Sequence, residues 1–218
     1  MTAGLASGAV PARVDPRDAW IGPGDSIQGV PEGARVGTAS LRRRAQLRAL
    51  RPDLEMVELR GNVDTRLRKL REGEADALVL AVAGLERLGR TDVISFVFDE
   101  SELTPAAGQG ALVVQTRTGR ESEVAAIGDQ ESMTRLLAER AAVVGLNADC
   151  SSPVGIHARF EGGLLALEGF VGRSDGSVWI RDRVEGDPAR PESLGRELAD
   201  RMLRAGATEV MAGSTLSD

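Results

Sequence analysis

Hydrophobic and polar positions between residues 34 and 98 form short apolar runs, each followed by a segment with apolar residues at helical spacing. The apolar run at 75–84 is nearly continuous, which is typical of a parallel strand buried on both faces. Pro52 ends the first helical segment. The predicted elements are, in order, a strand at 34–38, a helix at 41–50, a strand at 54–59, a helix at 63–70, a strand at 75–84, a short helix at 84–89 and a strand at 93–98. This alternation predicts an α/β fold with a parallel or mixed sheet.

The pattern changes near residue 130. An amphipathic helix is predicted at 131–148, and its apolar side is formed by Met133, Leu136, Leu137, Ala141 and Val144. Three strands with glycine-containing turns follow, at 156–160, 164–171 and 177–184, and a last amphipathic helix covers 191–205. Turns of this kind indicate hairpins. The order predicts a small α+β domain with a three-stranded antiparallel sheet.

The remaining segments have weaker signals. The first 22 residues are rich in Gly, Pro and Ala and read as an irregular charged connector, and a strand that begins at Ala111 has no obvious sheet partner. We therefore expect this strand to leave apolar surface exposed. The predicted division is a remnant of a first domain at 1–22 and 105–129, an α/β domain at 23–104 and a C-terminal α+β domain at 130–218.

Composition narrows the classes of function. The net charge of −6 and the aromatic share of 3% argue against general nucleic-acid binding and against stacking platforms for single strands. No apolar run approaches the ~20 residues needed to cross a bilayer, and the first residues do not resemble a signal peptide. One Cys and one His make an internal disulfide or a zinc cluster implausible. We expect a cytoplasmic protein without a metal, nucleic-acid or membrane partner.

Arginine is concentrated in one stretch, residues 35–71, where eleven basic residues face four acidic ones. Arg42 and Arg43 open the first predicted helix, and Arg60 and Arg66 flank the start of the second. Ligands of open α/β sheets bind at the carboxyl edge, where helix N-termini add partial positive charge. These four side chains can therefore converge on one anion-binding cleft. Simple solvation of helix faces is an equally good interpretation of the pattern alone.

The single cysteine, Cys150, follows a predicted helix in the polar loop 149–153. A lone cysteine is more often a small buried residue than a functional thiol. A polar loop gives a thiol the access that chemistry requires, so both interpretations stay open from the residues alone. His157, the only histidine, falls on an alternating strand, and we expect it to be a surface or packing residue without a role.

Six segments together carry a resemblance to a known family. They are, in order, GTASLRRRAQL, LRGNVDTRLRKL, ADALVLAVAGLERLG, LTPAAGQGA, AER and DCSSPVGIHA. In this order they resemble porphobilinogen deaminase (hydroxymethylbilane synthase), a transferase family of heme and porphyrin biosynthesis that condenses four porphobilinogen units with loss of ammonia. The resemblance implies an α/β sheet domain similar to periplasmic binding proteins and a C-terminal domain that presents the cysteine loop.

The resemblance also implies a covalent dipyrromethane cofactor and an anionic pyrrole substrate. By motif match, Cys150 would carry the cofactor through a thioether. Its carboxylates would be held by Thr38, Ser40, Arg42 and Arg43, and the substrate by Arg60, Arg66, Arg87 and Gln109. Arginine suits these carboxylates because its planar fork donates two hydrogen bonds.

The family's opening region, which includes its catalytic aspartate, has no counterpart in this sequence. We therefore identify no catalytic residue and expect the 218 residues alone to be poorly active. We expect a monomer, with a separate chain as a possible source of the missing lobe. Two alternatives stay open: a non-catalytic module that binds small carboxylates, and a mis-started reading frame of the complete enzyme.

Overall fold

A computed structural model describes residues 4–213 of the chain. The strands are β1 (Leu5–Ala9), β2 (Asp18–Ile21), β3 (Arg35–Gly37), β4 (Glu55–Val57), β5 (Ala77–Ala81), β6 (Phe96–Val97), β7 (Val114–Arg117), β8 (Val154–Glu161), β9 (Leu164–Gly172) and β10 (Trp179–Gly186). The helices are α1 (Leu41–Leu50), α2 (Val63–Arg71), α3 (Val82–Arg87), α4 (Gln130–Gly145), α5 (Pro191–Arg204) and α6 (Ala207–Ala212).

The central sheet is mixed and has the strand order β4-β3-β5-β2-β6. β3 runs parallel to β4 and β5, whereas β2 runs antiparallel to β5 and β6. The strands β3 to β5 alternate with α1 and α2, as the sequence predicts. The predicted α/β class with a mixed sheet is therefore confirmed.

The strand β2 comes from the segment 1–22, which we proposed as part of a domain remnant. All four of its residues are buried, and it lies between β5 and β6 in the central sheet. Asp18–Ile21 is therefore a strand of this sheet. The strand β2 is difficult to predict from the sequence because β2 has only four residues and follows a charged segment that contains proline.

The helix α1 buries polar side chains together with apolar ones. Ser40 caps it, because its hydroxyl accepts a hydrogen bond from the backbone N–H of Arg43. Its buried residues are Arg42, Arg43, Ala45, Gln46 and Leu47. Leu50, the last residue of α1, is 42% exposed. The buried face is shared with polar side chains because these have partners inside the protein.

The strand that begins near Ala111 does have a partner, so the expectation of an unpaired strand was wrong. β7 pairs antiparallel with β1, with Leu5 opposite Arg117. The residues just before it, Leu112 and Val113, are exposed. This two-stranded sheet joins the N-terminal segment to the segment 105–129.

The C-terminal domain has the predicted three-stranded antiparallel sheet, in the order β10-β9-β8, covered by α4 and α5. The face of α4 that packs inward is centred on Ala138 and Ala142, and Gly195 of α5 comes so close that an added Cβ would lie 2.3 Å from the carbonyl oxygen of Ala138. The predicted apolar face instead borders an open groove, and Val144 is 77% exposed. Ala138 and Ala142 occupy the inward face of α4 because small side chains let α5 pack closely against it.

Candidate functional site

The carboxyl edge of the central sheet gathers the charged side chains of the candidate site. β3 ends at this edge and α1 starts from it. Because β2 is antiparallel to β5, its first residue, Asp18, pairs with Ala81, the last residue of β5. The topology thus brings Asp18 to the place where Arg42 and Arg43 open α1.

Asp18 binds both arginines. Its Oδ1 atom accepts hydrogen bonds from Arg43 Nε at 3.0 Å and Arg43 Nη2 at 2.7 Å. Its Oδ2 atom lies 2.8 Å from Arg42 Nη1, an ion pair in which the N–H is not directed at the carboxylate. Asp18 is 0% exposed, and the two arginines are 4% and 8% exposed.

The carboxyl group of Asp18 is held as the anion. Burial alone would raise its pKa, but the charges and hydrogen bonds of Arg42 and Arg43 outweigh burial and lower the pKa from its ordinary value. Asp18 therefore does not have the properties of a proton donor near neutral pH.

Two further groups hold Arg42. Its Nη1 atom donates to the carbonyl oxygen of Thr104 at 2.7 Å, and its Nη2 atom donates to Gln109 Oε1 at 3.2 Å. Gln109 Nε2 donates to Asp18 Oδ1 at 3.1 Å and also to the carbonyl oxygen of Pro16. Both the oxygen and the nitrogen of the Gln109 amide thus form hydrogen bonds within the protein.

Arg66 extends the cluster from α2. Burial lowers the pKa of Arg66, and the positive charge of Arg43 lowers it further. Its Nε atom is buried and has no hydrogen-bond partner. Arg42, Arg43 and Arg66 are three positive charges against the one negative charge of Asp18, an excess of two.

The other predicted site residues differ in their hydrogen-bond partners and in their exposure. The Thr38 hydroxyl accepts from the backbone N–H of Ser40, so both hydroxyls serve the start of α1. Arg87 donates to the carbonyl oxygen of Gly110. Arg60 is exposed and pairs with Glu58. Of the four arginines that we expected to converge, Arg42 and Arg43 share Asp18, the charge of Arg43 acts on Arg66, and Arg60 lies at the surface.

Cys150 is a free, exposed cysteine in the loop between α4 and β8. Five residues later, Gly155 packs against Thr104, where an added Cβ would lie 2.7 Å from the carbonyl oxygen. That oxygen is the one that accepts from Arg42. Since five residues span at most about 18 Å, Cys150 lies within about that distance of the segment that holds Arg42.

A second buried ionic cluster, which the sequence did not predict, joins the N-terminal segment to the C-terminal domain. Glu139 is 0% exposed and accepts hydrogen bonds from Arg13 Nη1 and from the backbone N–H of Gly108, each at 2.6 Å, and from that of Ala158 at 2.9 Å. Its burial would raise the pKa, but interactions with His157 and Arg13 lower it.

His157 belongs to this second cluster and not to the surface. Its Nε2 atom lies 3.0 Å from Glu100 Oε1, and its Nδ1 atom lies 3.5 Å from Glu139 Oε1. Burial alone would lower its pKa, but the two glutamates outweigh burial and raise it. The two carboxylates favour the imidazolium form of His157, although its Nδ1 atom makes no hydrogen bond.

The arginine cluster is closed in this structure, whereas the sequence suggested an open cleft. A cavity of about 210 Å³ lies between α1 and the C-terminal sheet, but Leu50, Phe170 and Trp179 line it, not the clustered arginines. Within residues 4–213, no helix is long and apolar enough to cross a membrane. The same residues contain no group of three or more His, Cys, Asp and Glu side chains that could hold a metal ion.

Asp18 and Glu139 are the acids that sequence reasoning missed at these two clusters. Asp18 had one usable signal: a single acid followed by three apolar residues is a pattern that fits a short buried strand. Glu139 had a weaker one, because it lies three residues from Leu136 on an amphipathic helix.

The chain thus consists of an α/β part with a mixed sheet and guanidinium groups at the sheet edge, and of a small α+β domain with an exposed thiol. Residues 1–125 match the family model described as "Porphobilinogen deaminase, dipyromethane cofactor binding domain", and residues 133–204 match "Porphobilinogen deaminase, C-terminal domain". The chain belongs to the porphobilinogen deaminase family.

Relatives named porphobilinogen deaminase support this assignment. The protein of Deinococcus radiodurans is 49% identical over 213 residues, covering 95% of this chain and 69% of the relative. That of a Roseiflexus species is 48% identical over 209 residues, covering 94% and 69%. That of Thermus thermophilus is 46% identical over 214 residues, covering 96% and 71%.

The residues present fit the dipyrromethane cofactor of the matched domain. The cluster has an excess of positive charge, and Arg66 has a buried Nε atom without a partner. Cys150 is exposed, and Gly155 of the strand that follows its loop packs against Thr104, which holds Arg42. Anionic acetate and propionate groups match these donors in charge and geometry.

Proposed function

We propose that this chain acts in the hydroxymethylbilane synthase reaction, the head-to-tail condensation of four porphobilinogen units in heme and porphyrin biosynthesis. Each condensation forms a C–C bond, breaks the C–N bond of an aminomethyl group, and releases that amine as ammonia with the displaced ring hydrogen. The observation that carries the proposal is the excess of two positive charges at the sheet edge, beside a domain with an exposed thiol.

The roles follow from these positions. Cys150 would hold the dipyrromethane through a thioether, and Arg42 and Arg43 would neutralise its carboxylates, with Thr38 and Ser40 as neutral neighbours. When bound, the cofactor supplies the first two pyrrole rings, to which the substrate units are added. Arg60, Arg66, Arg87 and Gln109 would bind the incoming substrate. Fixed guanidinium groups stabilise such anions without reorganising.

For these 218 residues by themselves we propose weak turnover. General acid catalysis typically contributes about 100- to 10,000-fold, and the carboxyl at the cluster, Asp18, is held as an anion by two arginines. We also propose that the chain is a monomer. A turnover assay with porphobilinogen in which this chain gives the output of a full-length relative would contradict the first proposal, and sedimentation tests the second.

Intact-mass measurement tests the cofactor assignment. We expect the wild-type chain, produced in cells that make porphobilinogen, to carry the mass of a dipyrromethane, and the Cys150→Ala variant to carry none. Ser122→Ala, a change in an exposed turn far along the sequence, is the control and should keep the added mass. An unmodified wild type that binds porphobilinogen reversibly and in a salt-sensitive way would instead support a non-catalytic carboxylate-binding module.

A further inference from the structure

We propose that Asp18 is a positioning residue, which holds the guanidinium groups of Arg42 and Arg43 in the geometry that receives a pyrrole carboxylate. The proposal rests on the function proposed above. Asp18 does not itself face the ligand, because it is 0% exposed and enclosed by the two arginines and Gln109.

The first argument is the repulsion between the two arginines. Arg42 and Arg43 are neighbours on α1, and both are buried. Like charges repel strongly where the surroundings are poorly polarisable. The carboxylate of Asp18 lies between them, with Oδ2 at 2.8 Å from Arg42 Nη1 and Oδ1 at 2.7 Å from Arg43 Nη2. One shared anion therefore lets both cations stay inside the protein.

The second argument is orientation. Arg43 uses Nε and Nη2, which lie on one edge of the guanidinium group, to bind Oδ1 of Asp18. This fixes the plane of the group and leaves Nη1 outside the pairing. Asp18 is itself fixed, because its backbone carbonyl oxygen accepts from the N–H of Phe98 and it pairs with Ala81 in the sheet.

A view based on charge alone predicts the opposite effect of Asp18. Its negative charge reduces the charge of the cluster from +3 to +2. If charge alone decided binding, removing it would tighten the binding of an anion. If Asp18 positions the arginines, removing it weakens binding. The two views therefore predict opposite changes in the Kd of an anionic ligand when Asp18 is replaced.

The first experiment replaces Asp18 by asparagine, which keeps the shape and removes the charge. Porphobilinogen is titrated calorimetrically into chains that also carry Cys150→Ala, so that the probe stays noncovalent. We expect Asp18→Asn to raise Kd at least about tenfold, the scale of one lost charge-assisted hydrogen bond. An unchanged or lower Kd overturns the proposal.

The control is Asp76→Asn, which changes the net charge by the same amount. Asp76 precedes β5, at the opposite edge of the sheet, and pairs with Arg35 at the surface. We expect its Kd to stay within about twofold of the parent, because surface charges in water interact weakly. An equal effect of both substitutions would show that net charge, not position, decides binding.

A double-mutant cycle separates positioning from general destabilisation. In an Arg43→Gln background, adding Asp18→Asn should raise Kd by less than it does in the parent chain, because only Arg42 is left for Asp18 to hold. Fully additive effects overturn the proposal. If Asp18→Asn alone does not fold, Asp18→Glu takes its place in the cycle, because it keeps the charge and changes only the position of the carboxylate.

A ligand-free measurement distinguishes this proposal from the proposed function. Arg43 Nε donates to Asp18 Oδ1 at 3.0 Å, so its N–H should give a slowly exchanging NMR signal. This N–H should exchange faster in Asp18→Asn, whose neutral oxygen is a weaker acceptor, and at an unchanged rate in Asp76→Asn. If this holds but the parent chain does not bind porphobilinogen, the positioning stands and the proposed function fails. If the exchange rate is the same in Asp18→Asn as in the parent, the positioning fails.

Discussion

Two buried ionic clusters in the described part of the chain have similar components but opposite charge balance. Around Asp18, three guanidinium groups meet one carboxylate. Around Glu139, Arg13 and His157 lie beside two carboxylates, those of Glu139 and Glu100, and these carboxylates raise the pKa of His157. The first cluster has an excess of positive charge, whereas the second is balanced when His157 is protonated.

The difference indicates different uses of buried charge. A balanced cluster gains nothing from an added ion, and its hydrogen bonds instead connect Arg13, Gly108 and Ala158, which come from three segments. An unbalanced cluster is unfavourable unless an anion joins it. Perturbed charges of this kind are typical of functional sites as well as of structural networks. Here the excess of positive charge around Asp18 indicates a functional site, and the charge balance around Glu139 indicates a structural network.

The largest expected effect is the loss of stability on breaking the balanced cluster. Glu139→Gln leaves Arg13 and His157 without their shared anion, and removing one partner of a buried pair costs about 3–5 kcal/mol. The free energy of unfolding, measured in urea, should fall by this amount. Glu131→Gln, an exposed change on the same helix, should stay within about 0.5 kcal/mol of the wild type. A loss below about 1 kcal/mol in Glu139→Gln would contradict the structural role.

A smaller and different effect is expected at the unbalanced cluster. Arg66→Ala removes a half-buried cation whose buried Nε atom has no partner, so the free energy of unfolding should change little. Binding of porphobilinogen should weaken about 10- to 100-fold, as expected for one charge-assisted interaction. Arg68→Ala is the matched control, because Arg68 lies on the same helix but pairs with Glu72 at the surface. Equal losses in both variants would remove Arg66 from the site.

The pH dependence of stability gives the smallest effect. The pKa of His157 is raised in the folded chain, so its contribution is fully present below the unfolded value of about 6.5 and is lost as the pH rises through the folded pKa. The free energy of unfolding should therefore decrease with rising pH in this window. His157 is the only histidine, so His157→Asn should flatten the slope. An unchanged slope would show that the imidazolium is not part of the balance.

The sequence predicts the alternating elements well, because their signals are local. The apolar run ending in β5, the Pro52 stop after α1 and the Ser40 cap depend on neighbouring residues only. The four-residue strand β2 and the β1–β7 pair were missed because their stability comes from partners far along the chain. Leu5 and Arg117, for example, meet only through the fold.

The candidate site shows the same limit. The concentration of arginine and the motifs around it indicate the correct sheet edge. They do not indicate that Asp18 and Gln109 bind two of those side chains, since both partners depend on contacts more than twenty residues apart in sequence. The role of His157 was missed for a related reason: an alternating strand pattern does not show which acids face it from α4 and from the loop at Glu100.

The close packing of Gly155 depends on its lack of a side chain. Its backbone lies against Thr104, and a Cβ there would stand 2.7 Å from the oxygen that receives Arg42. A single methyl group at this position would act as a wedge at the boundary between the thiol-bearing domain and the sheet. It would displace a guanidinium group that it does not touch.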